Sequence, residues 1–486
     1  MIIDLTIICF YFLIVFLLGL KFSKSNQSES DFYLAKKEIH WSFLMISLVA
    51  TETSSLTFLS IPSLSIKTDF RFLEIAIGYI LGRTVVAYFL LPFYFSGNGI
   101  SIYEYLNKNF GIVTQRTISF IFTISRLLGD GIRLYVSALP ISFLLQKMGL
   151  SMDPEWTGML SLFILSVVTI VYSVIGGFRA IVFTDVLQWL VYITGGFFAL
   201  YLLFQFLFES GESISAILQN LSAQNKFQVF HFGFDSNSDP NYFFLSAILG
   251  GAFISIGSHG TDLMLVQRVI ATKNLDSARK VLIGSGILVF FQFVLFLTIG
   301  SLLFYFYKEN LPSADKAFSQ FIIDYVPTPI LGLLVSAILA SAMSTLSSTI
   351  NSLSLTWARD WNLDKMFRPR GISLFFGILL FLSSLLPFFL AKDWEKGILE
   401  VGLTIFSFTL GPTIFVFFLA QSQRKLSLNS WIFSFLLLFS IFVTVATGQM
   451  FKIPFTLLVP MGCAITASLV FSGELVYRLL SKIKIG

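Results

Sequence analysis

Charge is what this chain has least of: only 12% of its residues are Asp, Glu, Lys or Arg, against about 25% in an ordinary soluble domain. With 56% hydrophobic residues and a mean hydropathy of +0.83, it has too little polar surface to cover a water-soluble fold of 486 residues. A bilayer removes that difficulty, because lipid solvates apolar side chains while helices satisfy their own backbone. Cysteine is nearly absent as well. Cys9 and Cys463 stand in apolar stretches and read as inert packing residues, so the redox compartment stays unread. The net charge of +5 forms no concentrated basic stripe, and no nucleic acid is expected as a partner. A Walker A motif is missing, so uphill transport must draw on a gradient. Long hydrophilic segments are missing too, the longest being about 209–240. That argues against a sensor kinase, a receptor with a ligand-binding ectodomain and an ATP-driven pump.

What is present is a succession of apolar runs near the roughly 20 residues that a helix needs to cross the hydrocarbon core. Thirteen are expected, at 3–20, 41–66, 75–97, 112–146, 156–176, 180–208, 241–258, 279–307, 327–356, 371–390, 396–420, 429–448 and 455–480. The long runs at 112–146 and 327–356 need tilt, a kink or ends outside the bilayer. The N-terminal run lacks a basic leader and a small-residue cleavage site and reads as a retained span. Loops after odd-numbered runs, with the C-terminus, hold about twenty Lys and Arg, among them Lys36, Lys37, Arg179, Arg268, Lys273, Arg359 and Arg424; the other side holds nine. By the positive-inside rule the N-terminus lies outside and the C-terminus in the cytoplasm of a multi-pass cell (plasma or inner) membrane protein.

Polar residues at bilayer depth are costly and mark pathways or pairs. The second run reads Ser47-Leu48-Val49-Ala50-Thr51-Glu52-Thr53-Ser54-Ser55-Leu56-Thr57, with a carboxylate in mid-span. Hydroxyls bonding back to the chain can open such a helix and free its carbonyls for a cation. In the ninth run Ser341, Ser344, Thr345, Ser348 and Ser352 recur at helical spacing, lining one face with the oxygens a hard cation prefers. The seventh run ends in Gly250-Gly251-Ala252-Phe253-Ile254-Ser255-Ile256-Gly257-Ser258-His259-Gly260-Thr261-Asp262. Its four glycines and histidine read as a broken helix, with His259 open between a structural and a ligand-binding role. Arg126, Asp130 and Arg133 share a face of the fourth run and read as a structural ion-pair set, whose surplus positive charge leaves room for an anionic group. Two interrupted spans five apart are what an inverted five-plus-five repeat gives.

At these residues the chain resembles the sodium:solute symporter family. The matching strings are Ser28-Glu29-Ser30-Asp31-Phe32-Tyr33-Leu34-Ala35, Gly78-Tyr79-Ile80-Leu81-Gly82-Arg83, Leu91-Pro92-Phe93-Tyr94, Gly176-Gly177-Phe178-Arg179 through Gln188, Gly257 through Arg268, and Phe406-Ser407-Phe408-Thr409-Leu410-Gly411-Pro412. The resemblance implies an all-α integral membrane fold with a LeuT-like core of two inverted repeats. The expected division is an extra helix and inner loop at 1–40, repeats at 41–208 and 241–420, and two further helices at 429–486, all one transmembrane domain.

It also implies a shared sodium site formed by the carbonyls of Ala50, Thr53 and Ser341 and the hydroxyls of Ser344 and Thr345. A second sodium site, found in some members, maps to Asp185, Ser344, Ser347 and Ser348. Solute is expected near mid-membrane against Thr51, Glu52 and Ser55, with Arg133, Ser255, His259 and Phe408 completing the pocket. Glu52 favours an amine or polyol and Arg133 a carboxylate, so sugar, amino acid and carboxylate stay open. The expected function is sodium-coupled symport by alternating access in a monomer, with no enzyme activity and no cofactor beyond Na+. Alternatives are a proton-coupled symporter of the same fold, since Glu52 and Asp185 can titrate, and a non-transporting membrane sensor.

Overall fold

The computed structural model describes residues 2–23, 29–96, 101–147, 153–232, 242–390 and 398–483. The expected start of the eleventh run at 396, with Ser28 of the first matching string, lies outside them. Helix is the only regular structure among the described residues. In chain order come α1 (Ile2–Ser23), α2 (Glu29–Leu34), α3 (Trp41–Glu52), α4 (Ser55–Lys67), α5 (Phe72–Val85), α6 (Leu91–Phe95), α7 (Glu104–Phe110), α8 (Ile112–Lys147), α9 (Pro154–Glu209) and α10 (Ile214–Ala223). After them follow α11 (Phe244–Gly260), α12 (Leu263–Ile270), α13 (Leu275–Tyr307), α14 (Ala314–Asp324), α15 (Ile330–Asp360), α16 (Pro369–Leu390), α17 (Ile398–Gln421), α18 (Ser430–Met450) and α19 (Phe455–Ile483).

Local chemistry sets several boundaries. Asp153, Asn274 and Asn429 each accept a backbone N–H of the following first turn, starting α9, α13 and α18, which supplies donors left orphaned at a helix N-terminus. Pro92 lacks an N–H and crowds the carbonyl four residues back, and the turn before it, Val86–Leu90, widens into a π-helical segment. In α9, Gly177 has φ 64° and ψ −169°, a conformation closed to side chains with a Cβ. It divides the helix close to where the fifth and sixth apolar runs meet.

Two helices are broken outright. α3 and α4 meet at 61° across Thr53 and Ser54, and α11 and α12 at 65° across Thr261 and Asp262. The second break falls at the end of the string read as broken, beyond its glycines. α11 is regular through Gly250, Gly251, Gly257 and Gly260, and those glycines serve close packing instead. A methyl group on Gly251 would collide with the Ile75 carbonyl of α5, and one on Gly78 or Gly82 of α5 with carbonyls of α11. The break comes at Asp262, whose backbone is extended and whose carboxylate caps α12 through Met264 N at 2.9 Å.

Nine helices among the described residues are long and apolar enough to cross a membrane, or up to eleven when each bent pair is one span. The expectation of thirteen adds α8 and takes α9 as two. Packing sorts the elements into two groups. α3/α4, α5, α11/α12 and α13 pack together, while α8, α9, α15 and α16 form the other group. Each half of the chain supplies α-helices to both groups, as two repeats of one motif would. α1 lies on α9 and α15, and α17, α18 and α19 close the opposite flank.

Candidate functional site

Both helix breaks open onto one cavity of ≈ 110 Å³ between the two groups, its wall including Thr53, Ser54 and Asp262 from the breaks themselves. Polar lining comes further from Glu52, Arg126, Arg133, Ser255 and Ser258, and apolar lining from Phe72, Phe293, Leu403, Phe406 and Leu410. Of the expected pocket residues, Glu52, Arg133 and Ser255 are there. Thr51, Ser55, His259 and Phe408 are not among the lining. Ser55 faces Ser137 on α8, and Thr51 points toward Asp185 and Ser348. The Phe408 ring lies beside Gly448 of α18. Phe406, two residues earlier, holds the cavity position. Its ring lies against Gly129 and beneath two guanidinium groups, Arg126 at 4.9 Å and Arg133 at 5.1 Å, where cation–π attraction applies.

Glu52 is not a free anion. Arg83 of α5, fully buried, donates to its carboxylate, and His259 Nε2 stands 3.5 Å away. Arg83 also donates to Ser285 of α13 at 2.7 Å, so the end of α3 is tied to α5 and α13. On the opposite wall the α8 charges pair as their spacing implies. Asp130 meets Arg133 at 2.9 Å and Arg126 at 3.5 Å, and Thr349 donates to its second oxygen at 2.6 Å. Arg126 turns chiefly to Asp262. The contact with Asp130 is the only hydrogen bond of the Arg133 guanidinium among the described residues, and its side chain stays 18% exposed. Arg133 therefore has donors left over at the cavity, whereas the carboxylates facing it are occupied.

Behind the first break lies a second polar cluster, wholly buried. Thr345 of α15 donates to the carbonyls of Thr51 at 3.0 Å and Ser341 at 3.3 Å, joining the last turn of α3 to α15. Helix ends leave carbonyls without intrahelical donors, and Ala50 and Thr53 flank Thr51 in that turn. Of the residues expected to hold the shared sodium, Thr345 and Ser341 of α15 thus lie against the last turn of α3. Ser344 instead donates to Asp185 Oδ1 at 2.7 Å. Around Asp185 Oδ2 gather Ser47, Thr51 and Arg268, the last at 2.9 Å. Ser348 reaches this group through Thr51 and Arg268, while Ser347 bonds the Ser344 carbonyl at 3.1 Å. Arg83 carried no assigned role in the sequence, and Arg268, counted there among the inner-loop charges, is instead fully buried on α12. The signal for Arg83 is an arginine inside an apolar run; Arg268 lies beyond the seventh run, where nothing in the sequence marks burial.

Two broken helices crossing between two helical groups, with carbonyls and hydroxyls gathered at the break, define a secondary transporter of the membrane. The family model of the sodium:solute symporter family matches residues 32–428, and the chain belongs to that family. It is a multi-pass membrane transporter working by sodium-coupled symport, not an enzyme, and Na+ is its coupling ion. Among its relatives is the sodium/sialic acid symporter SiaT of Proteus mirabilis, 27% identical over 362 residues, 72% of this chain and 69% of the relative. The sodium/sialic acid symporter NanT of Aliivibrio fischeri is 25% identical over 85% of this chain and 81% of its own. A Drosophila melanogaster protein described as a putative sodium-dependent multivitamin transporter is 26% identical over 87% and 71%. The fold is similar to that of a Na+-coupled sialic acid symporter in a substrate-bound outward-open state, with TM-score 0.80 and 23% identity over 98% of both chains.

Proposed function

We propose that this chain carries a small carboxylate-bearing solute inward with sodium, binding it in the cavity between the two helix breaks. The observation that carries the reading is Arg133, whose guanidinium keeps unused donors at the cavity wall. A guanidinium matches a carboxylate in two-pronged geometry. Glu52, which on sequence alone favoured an amine, is neutralised by Arg83 and so exerts little pull on a cation. Relatives described as sodium/sialic acid symporters transport an acid, which agrees. Ser255, Thr53 and Ser54 offer hydroxyls for the rest of a polar solute, with Phe293 and Phe406 against its apolar face.

Sodium would sit between α3 and α15, held by the carbonyls of Ala50, Thr53 and Ser341 and the hydroxyls of Ser344 and Thr345. Such a neutral oxygen set leaves the ion's charge to offset that of the incoming carboxylate. Asp185 with Ser344, Ser347 and Ser348 is proposed as a second sodium site. The same reading takes the chain as a monomer in the cell membrane with thirteen spans, the N-terminus outside, and repeats at 41–208 and 241–420.

The test is thermal stabilisation of the purified protein in sodium by a panel of acids (sialic acid, lactate, pantothenate) and neutral polyols (glucose, myo-inositol). Ligands of the folded state raise its stability by mass action. At least one acid is expected to stabilise, with the effect lost in Arg133→Gln and weakened in Arg133→Lys. Stabilisation by a neutral polyol alone, indifferent to Arg133→Gln, would overturn the carboxylate assignment.

A further inference from the structure

We propose that Arg268 is the resident cation of the Asp185 cluster, and that its guanidinium and a sodium ion are alternative partners of that carboxylate. The proposal rests on the sodium-coupled reading above and names the residue that governs access to the second ion site. Arg268 lies on α12, just beyond the second helix break, and is fully buried. Its Nε donates to Ser47 Oγ at 2.8 Å, Nη1 to the Met264 carbonyl at 2.8 Å, and Nη2 to Asp185 Oδ2 at 2.9 Å and to Ser348. Ser47 lies on α3, Asp185 on α9 and Ser348 on α15. One guanidinium therefore holds four elements together at the oxygens that a second sodium would need.

Charge decides between sharing and exchange. Asp185 and Arg268 form a neutral buried pair, 0% exposed on both sides. Adding sodium while Arg268 stays would set two cations against one carboxylate, and their mutual repulsion in a buried site opposes sharing. Geometry agrees. Ser348 and Asp185 Oδ2 already receive Arg268, and Asp185 Oδ1 receives Ser344. Withdrawal of Nη2 would release Asp185 Oδ2 and Ser348 to a sodium ion, beside Asp185 Oδ1 and the Ser344 hydroxyl. Ion entry then also severs the bonds of α12 to α9 and α15, so occupancy of this site is tied to the packing of the second broken helix. The shared site between α3 and α15 carries no such competitor, and the two sites differ in what sodium must displace.

The experiment measures 22Na+ binding and thermal stability of the purified full-length protein in sodium and in potassium, for the unaltered chain, Arg268→Gln, Arg268→Gln/Asp185→Asn and Thr345→Ala. Arg268→Gln leaves Asp185 without its cation. It is expected to melt lower in potassium, recover in sodium by a larger shift than the unaltered protein, and bind a further sodium at least about tenfold more tightly. Adding Asp185→Asn should abolish that gain. Thr345→Ala should weaken the first ion alone. Sodium binding that Arg268→Gln leaves unchanged overturns this proposal, as does a gain that survives Asp185→Asn. Absence of any sodium binding by the unaltered protein overturns the sodium reading beneath it. Should Arg268→Gln fail to fold, Arg268→Lys carries the test. An ammonium reaches fewer of the four partners, so a smaller gain in sodium affinity is expected, and none would overturn the exchange.

Discussion

Glu52 shows how a single residue's role turns on what surrounds it. Read along the chain it is a bare carboxylate in an apolar span, and such a group advertises affinity for cationic solutes. In the fold it belongs to Arg83, which no solvent reaches. Removing one partner of a buried pair is far worse than never having had it, costing about 3–5 kcal/mol. Arg83→Gln should therefore destabilise the protein by that order, read as a fall in detergent melting temperature. Arg83→Gln combined with Glu52→Gln should regain much of the loss. A double variant no better than the single one would mean that Arg83 acts through Ser285 and packing. The hydroxyls, Glu52 and Asp185 were legible in the sequence because polarity stands out against apolar neighbours. Their partners were not, since Arg83 lies 31 positions from Glu52 and Arg268 83 from Asp185. Nor could the sequence tell Phe406 from Phe408, which depends on which way one turn of α17 faces.

At the scale of elements, the breaks do the organising. That the second and seventh apolar runs are discontinuous was readable from Ser/Thr and Gly content. Which residues of that string make the second break was not, because glycine serves two purposes in a membrane helix, kinking it and letting a neighbour approach. In α11 the glycines serve the second, against α5, α17 and α19, and the chain bends only where Asp262 can cap a new helix. Gly177 is the opposite case, a glycine whose backbone no other residue adopts comfortably. Gly177→Ala is expected to lower stability by about 1–3 kcal/mol and to weaken sodium binding, because the second half of α9 carries Asp185. A variant with unchanged melting temperature and sodium affinity would show that α9 accepts a continuous helix at this point.

Taken whole, the molecule separates the proposed sodium seam, α3 against α15, from the proposed solute cavity, with the break between α3 and α4 adjoining both. A ligand can shift a conformational equilibrium only by binding its states unequally. In the proposed reading, sodium bridging the α3–α15 seam would tie the two helical groups together, and that is the differential contact offered. Each positive charge moving inward across 100 mV of inside-negative potential adds about 2.3 kcal/mol of drive; one sodium with one carboxylate carries no net charge, so uptake should steepen with sodium and respond to membrane potential only through a second sodium. Fold class and family membership were legible from composition, run lengths and ordered motifs, because these are properties of the whole chain. The ion pairs that set charge balance at the site are properties of tertiary contact. The measurement that bears most directly on the account is sodium-dependent thermal stabilisation of the purified protein, unaltered and as Thr345→Ala, titrated against potassium at constant ionic strength. Sodium should stabilise the unaltered protein saturably, with half-saturation raised at least about tenfold in Thr345→Ala and largely restored in Thr345→Ser. Equal stability in both salts, or a sodium response untouched by Thr345→Ala, would contradict a coupling ion held between α3 and α15.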